Sequence, residues 1–502
     1  MYDYDVVIIG SGLGGLMCGA VLGMNGYKVC ILEKNRQIGG CLQTYSRDKV
    51  IIDTGVHYIG GLGEGQTLNK VFKYLGIMDE LRLKQMDPDG FDVICFDGDE
   101  KTYRLAQGYE NFISRLGKDF PGEENALRLY CDKIKEVCSK FPLYNLRTGD
   151  YTEKEEVAHI DACSFIRSVT ENKKLQQVLA GNNLLYAGVA DKTPFYIHAL
   201  ITNSYIESAW KCIDGGAQIA KLLNKRIKDN GGVIQRNTKV THIVGGQEKI
   251  EYVELENGKK ITAQYFISNL HPSQTMEITD SEIIRKAYRS RIQDIENTTG
   301  TFLMNIVLKK DTFPYLNHNY YYHATENAWQ GVDYTPGNWP LTYGLFVNAS
   351  SNHEQFADSL TIMTYMRYED VAKWKDTFNT DTEDKERGAD YEAFKKEKAD
   401  LLLDVVSKKF PGLRGCIRSC YVATPLTYRD YQGTADGSMY GIAKDHHNSN
   451  KTFISARTRL PNLFLTGQNL NLHGILGVTI SALITCGEFV EMKELLVNIN
   501  KI

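Results

Sequence analysis

The chain has 502 residues, enough for roughly two to four domains of ordinary size. Hydrophobic residues make up 42% and charged residues 24%, which excludes a disordered or collagen-like chain. Fifty-eight basic against 62 acidic residues give a net charge of -4, so there is no basic excess to hold nucleic acid. The 11 cysteines are odd in number and scattered, with Cys416 and Cys420 the closest pair. That pattern argues against a disulfide framework and for a reducing, cytoplasmic compartment. The opening MYDYDVVIIG carries acids where a secretion signal would carry bases. No apolar run reaches the roughly 18 residues of a membrane span, and peripheral membrane contact is the mode of association left open.

Residues 4–10, YDVVIIG, form a nearly continuous β-branched run, which predicts a strand buried inside a parallel sheet. Gly10, Gly12 and Gly15 follow as G-x-G-x-x-G, with Ser11, Leu13 and Gly14 between them, and helical apolar spacing continues to residue 24. In this order Gly10 allows a tight turn, Gly12 lets backbone approach a pyrophosphate, and Gly15 lets the helix pack closely on the sheet. The phosphates would sit on free N–H groups at the helix N-terminus. A second strand, 27–32, runs into Glu33, some 20 residues on, where an acid bonds ribose hydroxyls and repels a ribose phosphate.

Further along, a short apolar strand at 50–52 leads into DTGVHYIGG, which carries His57 and Tyr58. The stretch 108–140 is helical with a break at Pro121-Gly122. CIDGGAQIAKLL at 212–223 predicts a glycine turn and a helix, and 231–246 predicts strands. KITAQYFISNLHP at 260–272 reads as a strand running into a loop, with Pro272 barring helical continuation. Residues 369–400 mix charges of both signs, as solvated helices do. NLFLTGQ at 462–468 is a strand ending in Gly467, and Gly474 to Gly477 precede an apolar helix over about 478–496. No H-E-x-x-H, no Cys/His zinc pattern and no G-x-S-x-G occurs, so no metal site is expected and acyl transfer has no support.

The opening turn, QIGGCLQTY at 37–45, IIDTGVHYIGG at 51–61, TPLTYRDYQGTADGSMYG at 424–441 and LPNLFLTGQNLNLHGILGVTISA at 460–482 resemble the amine-oxidase-like FAD superfamily. Within it they are most similar to the phytoene desaturase, carotenoid isomerase and retinol saturase-like branch. The resemblance implies an α/β fold in which a Rossmann-like FAD-binding domain is interleaved with an α+β substrate domain. Its boundaries would be 1–75, 206–272 and 455–497 for FAD, and 76–205 and 273–454 for substrate. It also implies cofactor contacts at Gly10, Ser11, Gly12, Leu13, Gly14, Gly15, Glu33, Lys34, Gly39 and Gly40, at the backbone of Val240 beside adenine, and at Gly467, Gln468, Gly477 and Val478.

By the same resemblance His57, Tyr58, Tyr431 and His473 are the catalytic candidates, for proton transfer or for orienting the flavin ring. A flavin brings hydride transfer, so the chemistry implied is oxidoreduction at carbon-carbon double bonds of a hydrophobic polyene or isoprenoid, with saturation as the leading direction. Desaturation or isomerisation at the same site is the nearest alternative, and a flavin amine oxidase is a further one. A prenyl-binding escort on the same fold is the non-enzyme alternative, but such escorts lose the dinucleotide residues that are present here. NAD(P)H is a candidate electron donor, although no second G-x-G-x-x-G follows a strand to provide a separate site. The 30 tyrosines, against 19 phenylalanines, suit a substrate passage that is apolar but carries hydroxyls.

Overall fold

A computed structural model of the chain describes residues 2–352, 354–381 and 387–502. In β1 (Tyr4–Ile9), Val6 to Ile9 are buried and flanked on both sides by other strands. β2 (Val29–Leu32) pairs with it in parallel on one side and the strand Lys260–Ser268 on the other. α1 (Leu13–Met24), buried almost throughout, connects β1 to β2, which gives the βαβ unit its crossover. The sheet continues through Val233–Gln235 beyond β2 and, on the far side, through Ile250–Leu255, Val240–Gly245 and Thr279–Asp280. Leu463–Leu465 pairs in parallel with the carboxyl end of Lys260–Ser268, some two hundred residues away in sequence. Ile9, Leu32, Ser268 and Leu465 therefore end at one level, and such carboxyl edges are where open α/β sheets bind ligands.

A second sheet of seven strands runs in the order Ile417–Ala423, Gly300–Leu308, Ser359–Met366, Thr342–Val347, Asn319–His323, Asp92–Phe96 and Tyr103–Leu105. Only the pair Asn319–His323 and Asp92–Phe96 is parallel. Gly300–Leu308, Thr342–Val347 and Ser359–Met366 are buried along their whole length, so this sheet forms a second core together with the helices Glu124–Ser139 and Phe195–Glu207. The architecture is a Rossmann-like nucleotide-binding fold joined to an α+β unit. No described helix is long and apolar enough to cross a membrane.

Three local expectations are corrected. Pro272 does not stop a helix but begins one, Pro272–Ile278, because the first helical position needs no N–H donor and His271 caps the turn through Nδ1. The family resemblance implies a loop lining the substrate side at TPLTYRDYQ, yet Thr424 forms a capping box and the helix Pro425–Gln432 follows, ending at left-handed Gly433. The C-terminal helix spans Gly474–Cys486, with the glycines inside its first turn, and a separate helix covers Met492–Asn500. The chain turns between them at Gly487, where the Phe489 and Val490 N–H groups both fold back on the Cys486 carbonyl. Of the charged stretch 369–400, the helix Ala389–Lys409 is exposed on most faces but buries Tyr391, and residues 382–386 lie outside the described residues.

Candidate active site

α1 begins at Gly12 with neither a side-chain cap nor an acid in its first turn, so its leading N–H groups are left for a ligand. Gly10 takes φ +93°, the left-handed backbone a tight turn needs. A Cβ on Gly15 would stand 2.2 Å from the Gly10 carbonyl oxygen, so glycine alone permits this helix-to-strand contact. Cβ atoms on Gly12 and Gly14 would meet the Asn269 amide at 2.7 and 2.6 Å, and one on Gly40 would lie 3.2 Å from the Gly12 Cα. The turn is thus a bare backbone cradle closed by Gly40 and the Asn269 side chain.

Glu33 is buried and accepts from the Ser11 N–H at 2.9 Å, the Ser11 hydroxyl at 2.5 Å and the Asn35 N–H at 2.8 Å. Its position is therefore set by the turn itself. Ser11 has no exposed surface and, like Gly15, stands behind the cavity wall. Ser11 therefore acts through Glu33 and does not face a ligand, which corrects the contact inferred for it. Lys34 lines the cavity with its Nζ donating to the Asp430 carbonyl at 2.8 Å.

From this cradle a single cavity of about 1110 Å³ extends between the two sheets. Leu13, Gly39, Val240, Gly467, Gln468, Gly477 and Val478 all contribute to its wall, as do His57, Tyr58, Tyr431 and His473. In the same wall, the helix Gly474–Cys486 presents a second N-terminus with no side-chain cap and no first-turn acid. Two uncapped helix ends on one cavity suit the two negative regions of a bound FAD, its pyrophosphate and its reduced ring. With Glu33 in ribose position, the residues present fit the cofactor.

His473, the residue before that second helix, stacks on Tyr440 with ring centroids 4.1 Å apart. Its Nε2 donates to the Leu185 carbonyl at 2.8 Å, which leaves Nδ1 without a proton in the neutral ring. Burial and the nearby Lys444 bring its pKa down to about 4. His57 lies stacked on Phe346 at 4.6 Å, and burial followed by the charge of Lys211 also lowers its pKa to about 4. Neither imidazole is a cationic acid near neutral pH.

Tyr58 donates to Asp92 Oδ2 at 3.0 Å and pairs with the Tyr321 hydroxyl at 2.7 Å. Asn319 and Asn182 donate to the same carboxyl, and burial raises its pKa to about 7. Since neither Asp92 nor Tyr321 lines the cavity, the ring of Tyr58 faces the ligand space and its hydroxyl is committed elsewhere. Tyr431 shares the cavity wall, where burial raises its pKa and the charges acting on its phenol are those of Asp381, Arg47 and Asp430. Among the described residues it makes no hydrogen bond or ring contact with His57, Tyr58 or His473. The four catalytic candidates therefore do not form one cluster.

Asn269, Asp92 and Tyr205 are the site residues that sequence reasoning missed. Asn269 follows the strand Lys260–Ser268 directly, in a motif read only as a strand end, while Asp92 and Tyr205 carried no motif at all.

A model for an NAD(P)-binding Rossmann-like domain matches residues 8–75. The chain is 27% identical to all-trans-retinol 13,14-reductase of Danio rerio, in an alignment covering 98% of this chain and 87% of that protein. It is 26% identical to a chloroplastic prolycopene isomerase of Daucus carota, covering 88% of this chain and 72% of that one. Among solved structures, putrescine oxidase bound to putrescine superposes with a TM-score of 0.64 at 11% identity, over 99% of both chains. The fold is that of the amine-oxidase-like flavoproteins. The likeness to putrescine oxidase is one of fold, and a fold does not fix the substrate.

Proposed function

We propose that the chain is an FAD-dependent oxidoreductase that reduces a carbon-carbon double bond in a hydrophobic polyene of the retinoid or carotenoid kind. The observation that carries this reading is the continuity of the cavity, from a bare glycine cradle at one end to a chamber walled by Phe346, Met363, Leu472 and tyrosine rings. Pocket walls of this kind are mostly apolar, with a few polar groups that fix orientation. The similarity to all-trans-retinol 13,14-reductase over nearly the whole chain supports saturation as the direction.

FAD, when bound, supplies the hydride. The chain's own part begins with Glu33 and the N–H groups of α1, which would hold ribose and pyrophosphate. The uncapped N-terminus of Gly474–Cys486 would stabilise negative charge on the reduced ring. Phe346, His57 and Tyr58 form one apolar wall of the substrate space, and the Tyr440–His473 stack, pinned to the Leu184 and Leu185 carbonyls, forms another. Both walls exclude water from the reacting carbons. The electron donor is a separate two-electron reductant such as NAD(P)H, and substrate reaches the chamber by peripheral contact with a membrane surface.

The test is anaerobic incubation of chemically reduced, FAD-loaded protein with retinoids and carotenoids, followed by mass analysis. Addition of two hydrogens per molecule is expected. Unchanged mass with altered double-bond geometry would favour isomerisation, a reading that the similarity to prolycopene isomerase supports. Peroxide formed from amines, with polyenes untouched, would overturn the proposal.

A further inference from the structure

We propose that Tyr205 is the residue that transfers a proton to substrate carbon, an inference that rests on the double-bond chemistry proposed above. Hydride addition to one carbon leaves an electron pair on its neighbour, and a proton donor must stand within the chamber to meet it. The chamber tyrosines differ in what their hydroxyls do. Tyr58 is bonded to Asp92 and Tyr321, and Tyr440 donates to the Leu184 carbonyl at 3.2 Å. The Tyr428 hydroxyl points to the Thr54 carbonyl at 3.5 Å, the Tyr431 hydroxyl bonds the Asp381 backbone, and the Tyr144 hydroxyl is fully enclosed. Tyr205, half-buried in the cavity wall, forms no hydrogen bond through its hydroxyl among the described residues.

Its ring is nonetheless held firmly. Tyr205 belongs to the helix Phe195–Glu207, stacks on Tyr58 with centroids 4.3 Å apart and lies 6.3 Å from Phe91. Tyr58 is itself fixed through Asp92, so the carboxyl acts as a positioning residue for the Tyr58–Tyr205 stack. Burial, then the charge of Asp92 and the neighbouring Tyr440, push the Tyr205 phenol well above its ordinary pKa. The phenol therefore stays loaded with its proton across the working pH range.

In the reductive direction, hydride from reduced FAD forms one C–H bond. The Tyr205 O–H bond then breaks, and its proton forms the second C–H bond with the electron pair on the neighbouring carbon. The phenolate takes a proton back from water, and the oxidised FAD is recharged by an external two-electron donor.

The experiment compares FAD-loaded wild-type protein with Tyr205→Phe, which keeps both ring contacts. Each is reduced with dithionite and mixed anaerobically with all-trans-retinol in H2O and in D2O. The variant is expected to bind FAD and to bind retinol, read by retinol fluorescence on the oxidised protein, within about twofold of wild type. Its oxidation of reduced flavin by retinol should fall about 100-fold or more, and the slow remaining reaction should show a solvent isotope effect larger than that of wild type, because water must then supply the proton in the rate-limiting step. Turnover within about threefold of wild type, with the isotope effect unchanged, would overturn the assignment. Should wild type instead isomerise or dehydrogenate polyenes, the reductive reading and the Tyr205 assignment fail together, whereas reduction that survives in Tyr205→Phe sinks the assignment alone. Should wild type oxidise amines and leave polyenes unchanged, both readings fail.

Discussion

Tyr58 donates to Asp92 across 3.0 Å, joining a residue of the cavity wall to a carboxyl with no exposed surface. The groups facing this carboxyl are the Tyr58, Tyr321 and Tyr205 phenols, the Asn182 and Asn319 amides, and the Lys211 ammonium. Its folded pKa of about 7 lies above the ordinary carboxylate value of 3.8. The contribution to folding is therefore fully present below the ordinary value and is lost as pH rises through about 7. Asp92→Asn removes that dependence. The variant is expected to be less stable than wild type at about pH 5 by 1–3 kcal/mol, because it loses an acceptor for Tyr58. The gap should close or invert by about pH 9, read as urea midpoints at both pH values.

Glu33 spends three acceptor sites on Ser11 and Asn35, so Glu33→Gln puts an NH2 group where one of these donors now points. A loss of about 1–3 kcal/mol in folding stability is expected, with FAD affinity weakened about tenfold or more. Denaturant unfolding with and without FAD separates the two effects. Equal loss in both would mean that Glu33 supports only the turn.

For the cradle itself, Gly12→Val places a branched side chain against the Asn269 amide, where even one Cβ would come within 2.7 Å of Nδ2. Gly12 has an ordinary φ of -61°, so the backbone is unstrained and the damage falls on the ligand space. FAD binding is expected to be abolished while the fold survives. Visible absorbance after FAD addition and gel filtration, together with a thermal melt, checks both halves.

Sequence and structure agree best where chemistry is local. The Gly10–Gly15 turn, Glu33 and the break at Pro121-Gly122 depend on neighbours within a few dozen residues, and their spacing carries the signal. Pro272 was misread because proline forbids a helix interior but suits its first position, and only the His271 cap distinguishes the two. Asn269 is brought against Gly12 and Gly467 by pairing between strands far apart in the chain, which no pattern around residue 269 encodes. Asp92 and Tyr205 are 113 residues apart from one another by number and meet through Tyr58, so their roles exist only in the folded chamber. Histidine was legible as a residue type suited to proton transfer, yet burial leaves both His57 and His473 neutral.

That neutrality yields a last prediction, on His473. The groups facing its ring are Tyr440, stacked on it, the Leu185 carbonyl at Nε2, and the Lys444 ammonium, which opposes a second positive charge. The ordinary imidazole value is 6.5 and the folded one about 4, so the folding contribution is present above 6.5 and is lost as pH falls through the window down to about 4. Between pH 7 and pH 5 the loss amounts to about 2 kcal/mol for one such group. His473→Phe keeps an aromatic partner for Tyr440 and removes the titration. Its stability should therefore fall by about 2 kcal/mol less than that of wild type over this interval, measured by denaturant unfolding at the two pH values. A wild-type imidazole that instead titrates near 6.5, followed by NMR of ring-labelled histidine, would show that water reaches the ring and would return His473 to the list of cationic acids.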